Sequence, residues 1–215
     1  MFFRILLDVC VPIFGIVAAG WLMDRKFKLH LETLVKLNIY LMVPAFIFTR
    51  MVSAELGGGE ALRIAAFTLA TIALMFAGSL LAGRIFRMPR LERQALSLAA
   101  MFYNCGNYGL PLVTLGVQMS QTTPAPFRAP LWSAILLRLV ISPALAVLLV
   151  LAFGFSREVS AALILAAAAP TAVNTALLAH EFGGDVSFST SAVCYSTLFS
   201  LITTPALVYA LKLWL

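Results

Sequence analysis

Two stretches of this chain place amides, hydroxyls, glycines and prolines where an apolar run would otherwise continue. The first is Phe102-Tyr103-Asn104-Cys105-Gly106-Asn107-Tyr108-Gly109-Leu110-Pro111. Pro111 cannot donate to a helix ladder and clashes with the turn before it. Gly106 and Gly109 let the backbone unwind. Asn104 and Asn107 bring neutral donors and acceptors to the same place. The second is Ala169-Pro170-Thr171-Ala172-Val173-Asn174-Thr175, again a proline beside hydroxyls and an amide. Backbone freed in this way persists at membrane depth only where it is buried in protein or lines a cavity. A helix that restarts after a break turns its N–H groups and the positive end of its dipole toward the gap, which suits a carboxylate. The chemistry on offer is therefore recognition of an anion by neutral hydrogen bonds and helix ends. Asn38, with Tyr40 and Pro44 close behind it, is a third such position. The texture around Pro44 recurs at Pro143 and Pro205, where packing kinks explain it adequately.

Other chemistry is missing. No phosphate-binding loop, HExxH, GxSxG or pair of intramembrane carboxylates occurs. The reading is therefore not an enzyme, and no cofactor or metal is expected. Cys10, Cys105 and Cys194 are far apart within apolar segments and suit small buried residues better than a disulfide or zinc framework. Arg138 lies a turn or two inside an apolar segment. It is either a functional charge or a side chain snorkelling to the interface. His30 and His180 fall in connections.

The elements that must position these residues are membrane helices. Of 215 residues 62% are hydrophobic and 11% charged, with a mean hydropathy of +0.99. A soluble domain carries about 25% charged residues. The apolar runs are continuous and do not alternate with period two, which favours helices over a barrel. Seven segments are predicted: Ile5–Met23, Leu34–Val52, Leu62–Phe86, Ala95–Met119, Leu131–Phe153, Val159–Phe182 and Ser189–Leu213. The fourth and sixth are the interrupted ones. The fold class is all-α and integral to the membrane, one transmembrane domain over residues 1–215. The formal net charge of +6 comes from Lys and Arg in short connections, so nucleic acid is not an expected partner. Arg25, Lys26, Lys28 and Lys36 mark the first connection as cytoplasmic, and Arg84, Arg87, Arg90 and Arg93 mark the third, which leaves the N-terminus outside. A plain count of seven spans would leave the C-terminus inside.

Three motifs carry a resemblance. Asn38-x-Tyr-x-x-x-Pro-Ala-x-Ile-Phe, Asn104-Cys-Gly-Asn-Tyr-Gly-Leu-Pro, and Ala169-Pro-Thr-Ala-Val-Asn-Thr with Ala179-His-Glu-Phe-Gly-Gly-Asp resemble the auxin efflux carrier family, including its bacterial malate and malonate permease-like members. The resemblance implies secondary transport of small organic anions across the cytoplasmic membrane. It implies ten spans in two inverted five-helix repeats, with the fourth and ninth helices broken and crossing near the substrate. Carried over, the substrate-binding residues are Asn38, Asn104, Gly106, Asn107, Gly109, Pro111, Pro170, Thr171 and Asn174.

The chain departs from that pattern in length. Leu115-Gly-Val-Gln-Met resembles the end of the family's seventh helix, yet follows directly on a segment resembling the middle of the fourth. Residues 1–114 resemble the N-terminal repeat and 115–215 the end of the C-terminal one. Removing an odd number of spans would invert the last three helices, unless the hybrid fourth segment lies re-entrant. The alternative function is a shortened, non-transporting membrane protein: an assembly partner, a sensor or an inactive remnant. The expected partners are a small organic anion and the lipid bilayer. A homo-oligomer is one way for a shortened bundle to bury its polar breaks.

Overall fold

The computed structural model describes residues 11–53, 57–104 and 109–214. Among them the chain is helical throughout, in nine pieces. These are α1 (Val11–Phe27), α2 (Leu31–Val52), α3 (Gly58–Ile85), α4 (Arg90–Met101), α5 (Leu110–Gln121), α6 (Ala129–Phe153), α7 (Arg157–Ala167), α8 (Val173–Glu181) and α9 (Val186–Trp214). Four of these, α2, α3, α6 and α9, are long and apolar enough to cross a bilayer unbroken. The seven apolar segments of the sequence are present as helices, the first from Val11 on, since its residues 5–10 lie outside the described ones. The fourth is divided into α4 and α5 and the sixth into α7 and α8, at the expected breaks.

Side-chain contacts sort the helix ends into two faces. At the first face Asp24, at the end of α1, accepts from Ser120 and Gln121 at the end of α5. Gln121 also donates to the Leu29 carbonyl, just before α2. The Tyr40 hydroxyl of α2 reaches Glu181, the last residue of α8. Ser187 and Ser191 at the start of α9 bond to Thr123 and Ala125, just past α5. Met88, just before α4, and Leu96 within it pack with Leu131 of α6 and Phe188 of α9. At the second face Arg63 of α3 donates to the carbonyls of Phe153 and Gly154, which end α6. Phe67, Val150, Ile164 and Leu211 share a core there.

The consequence is topological. α4 enters from the first face and α5 returns to it, so the fourth apolar segment is a re-entrant hairpin. It was one of the two arrangements that the sequence left open. α7 and α8 together cross from the second face to the first. α9 then crosses back and ends on the second face, opposite the end of α1. The basic clusters Arg25–Lys28 and Arg84–Arg93 both lie on the first face.

α1 and α5 run parallel and touch backbone to backbone. A Cβ on Gly116 would lie 2.1 Å from the Val17 carbonyl oxygen, and one on Gly20 would lie 2.3 Å from that of Val113. In lipid, where apolar burial provides no drive between helices, such close approach is how helices hold together.

The lower end of this pair is tied by Asp24, just past the apolar stretch of α1. Burial alone would raise its carboxyl. The hydrogen bonds from Ser120, Gln121 and the Leu29 N–H outweigh that and hold it below the ordinary carboxylate range. Asp24→Ala removes the acceptor of the Leu29 N–H and of a Gln121 N–H, leaves Ser120 only the Val117 carbonyl, and should cost about 2 kcal/mol. A group with a depressed folded pKa contributes stability above its unfolded value, near 4, and loses it as pH falls through the lower folded one. Thermal midpoints of wild type and Asp24→Ala should therefore differ by a constant amount above about pH 5, and converge only below the carboxylate range.

Candidate functional site

The two breaks meet. Pro170 has no N–H and keeps residue 169 out of the helical region, so α7 stops at Ala167. Phe102 turns extended at the end of α4. The two extended segments then pair antiparallel. The Asn104 N–H donates to the Pro170 carbonyl at 2.8 Å, and the Ala172 N–H to the Phe102 carbonyl at 3.1 Å. Tyr103 and Thr171 face each other across this bridge. Freed backbone of one broken helix is thus satisfied by the freed backbone of the other.

Each helix that ends here leaves carbonyls without intrahelical donors, and most of these meet a donor from elsewhere in the chain. At the end of α4, Leu98 accepts from the Phe102 N–H, and Ala99 from the Thr171 hydroxyl at 3.1 Å. Ala100 accepts from Arg138 Nη1 at 2.9 Å. At the end of α7, Ala166 accepts from the Ala169 N–H. Ala167 accepts from Arg138 Nη2 and from the Ser142 hydroxyl, which in turn accepts from the same Nη2. The guanidinium lies over the Tyr103 ring, 5.2 Å from its centroid. Arg138 is 0% exposed. Of its two sequence readings, snorkelling is excluded, because the side chain turns inward and ends on the crossing.

The helices that begin here are arranged otherwise. α5 starts at Leu110 after Gly109 and α8 at Val173 after Ala172, and neither N-cap residue offers a capping side chain. Gly109 has φ +74°, a conformation that strains any residue with a Cβ. Pro111, in the first turn of α5, is suited to a position whose N–H would have no partner. Asn174, in the first turn of α8, accepts from Asn38 Nδ2 at 2.9 Å. Asn38 is fully buried and its own Oδ1 has no partner.

Asn38 and Arg138 reach the crossing from similar settings, as the first and the second residue of a widened turn. Each belongs to a π-helical turn, Asn38–Met42 in α2 and Leu137–Ile141 in α6. Each turn ends two residues before a proline, Pro44 or Pro143. The proline removes a ladder hydrogen bond, and the widened turn re-aims the polar side chain inward. Pro205, the third recurrence, sits within α9 with no such turn.

A cavity of ≈ 110 Å³ adjoins the crossing, lined by Asn104, Leu112, Val173 and Thr197 among others. It shares Met119, Cys194 and Leu198 with a second of ≈ 210 Å³ that extends to Thr122, Pro124 and Ser191 near the first face. Of the nine residues singled out in the sequence, Asn38, Asn104, Pro170, Thr171 and Asn174 are brought together at the crossing. Gly109 and Pro111 begin α5 beside it. Gly106 and Asn107 lie outside the described residues. The sequence reading missed three contributors. Ser196 accepts from the Thr171 N–H, Ser142 supports Arg138, and Gln118 donates to Ala176 of α8 and Thr190 of α9. A glutamine amid apolar residues was the one signal that marked any of them.

Two family descriptions match the chain. One, Membrane transport protein, covers residues 5–117, more than half of the chain. The other, Sodium Bile acid symporter family, covers residues 110–214. No curated protein and no solved structure matches.

Proposed function

The chain belongs to the membrane transport protein family, and from that premise we propose that it is a secondary carrier for small organic anions. One observation carries this reading. At the crossing both helix C-termini meet donors of the protein itself, while among the described residues the N-caps of α5 and α8, Gly109 and Ala172, offer no side-chain cap. The site is thus closed to a cation and open to an anion. A carboxylate there would meet the positive ends of two helix dipoles, each equivalent to roughly half a charge. Asn38, Asn104 and Asn174 would add neutral hydrogen bonds, and the apolar lining from Leu112 and Val173 would accept the body of the anion. Gly106, Asn107, Gly109 and Pro111 would shape the approach of α5, and Pro170 and Thr171 that of α8. The positive-inside rule makes the first face cytoplasmic, and a carrier with this charge bias belongs in a cytoplasmic membrane.

Purified protein in sealed proteoliposomes should show saturable uptake of a radiolabelled dicarboxylate or aromatic acid. The same anion should raise the thermal midpoint in detergent. Absence of both across a panel of such acids would sink the proposal. One feature favours the alternative of a non-transporting assembly protein: the outer half of α2, Val43–Val52, buries no residue at all. A folded chain with neither response, recovered as a stable homo-oligomer, would support that alternative.

A further inference from the structure

We propose that Arg138 is a resident counter-ion of the crossing, so that the carrier cycle takes up no alkali cation at the two half-helix C-termini. This rests on the carrier reading above.

The physical starting point is the pair of helix ends. Each C-terminus carries roughly half a negative charge on its free carbonyls. The ends of α4 and α7 converge on one point, because Ala100 and Ala167 accept from the same guanidinium. Their sum is about one negative charge, which one guanidinium balances. In broken-helix carriers such ends, together with unwound carbonyls, are where a coupling cation is coordinated. Here that place is filled by a side chain from α6. It is fully buried, is held by Ser142 and lies against the Tyr103 ring. The carbonyls of Ala99, Ala100, Ala166 and Ala167 at these ends are already bonded. A second monovalent cation within ~4 Å of the guanidinium would lose on the order of a thousandfold in affinity through repulsion alone.

The arrangement has a functional corollary. An ion that binds and leaves can couple its gradient to the movement of the site. A charge carried on α6 cannot leave, so it neutralises the crossing in every state and couples nothing. Net charge moved per anion should then be set by the anion alone.

The test compares cations on the purified full chain. Thermal midpoints of wild type should be the same in sodium, potassium and N-methyl-D-glucamine chloride at equal ionic strength. Arg138→Ala should melt well below wild type and be restored by several degrees in low-millimolar guanidinium, which leaves wild type unmoved. Arg138→Lys should fold and remain insensitive to sodium. A saturable, sodium-specific stabilisation of wild type would overturn the proposal, and so would an Arg138→Ala protein as stable as its parent. Where Arg138→Ala does not fold even with guanidinium, the wild-type and Arg138→Lys cation series decide alone. Because stability is read without any transported anion, the result stands apart from the flux assay. Flux without sodium dependence supports both readings. A cation-insensitive protein without flux overturns only the carrier reading.

Discussion

Asn174→Asp should leave the protein folded while anion binding falls by on the order of a hundredfold. The substitution keeps the acceptor that Asn38 uses. Asn38 Nδ2 donates to Asn174 Oδ1, and a carboxylate oxygen accepts the same bond. A negative charge in the first turn of α8 is favoured by the helix dipole. For a bound carboxylate the change is severe. Two unit charges about 5 Å apart repel by about 3 kcal/mol at the effective dielectric of a partly wetted protein site. Thermal unfolding should show a midpoint close to the parent, and isothermal titration or saturable flux should show the loss. Lower pH should restore part of the binding as the introduced carboxyl takes a proton. Unchanged affinity at neutral pH would remove α8 from the site.

Gly116→Val should separate α1 from α5 and unfold the hairpin. A Cβ at Gly116 has no room, since backbone atoms of Val17 and Trp21 lie 2.1 Å and 2.9 Å from where it would be. A flexible side chain could move aside, but a helix backbone cannot, so the two helices must shift as bodies. Overpacking costs 1–3 kcal/mol in ordinary cores, and this contact should exceed that range. Gly20→Val should behave alike against Val113. Gly15→Ala, on the same helix but with open space around it, should change the midpoint little. Equal effects at Gly15 and Gly116 would show that helix propensity is what matters there, and not the contact.

The breaks were legible because their causes are local. Pro111, Pro170, Gly109 and the flanking asparagines each act on the backbone within a turn of themselves. The re-entrant course of α4 and α5 was legible only as an option. What decides it is Asp24 meeting Ser120 and Gln121, residues that sit 96 and 97 positions away and carry no distinctive pattern. The burial of Arg138 was harder still. Two of its three acceptors are the backbone carbonyls of Ala100 and Ala167, and a carbonyl left free by a helix end has no letter in the sequence. Gly20 and Gly116 look like any other small residues in apolar helices until the partner helix is known.

The capping of α4 also sets an order of events during synthesis. Its end is completed by residues that the ribosome delivers much later: Arg138 follows Ala100 by 38 positions, and Thr171 follows Ala99 by 72. At 5–20 residues per second the wait for Thr171 is roughly 4–14 s. Throughout that interval the Asn104 N–H and the Ala99 and Phe102 carbonyls wait for the partners they meet at Pro170, Thr171 and Ala172. The hairpin is thus a late-closing element, finished only when α7 arrives, and a nascent chain halted before Pro170 would present that tip to whatever machinery inspects unfinished membrane proteins.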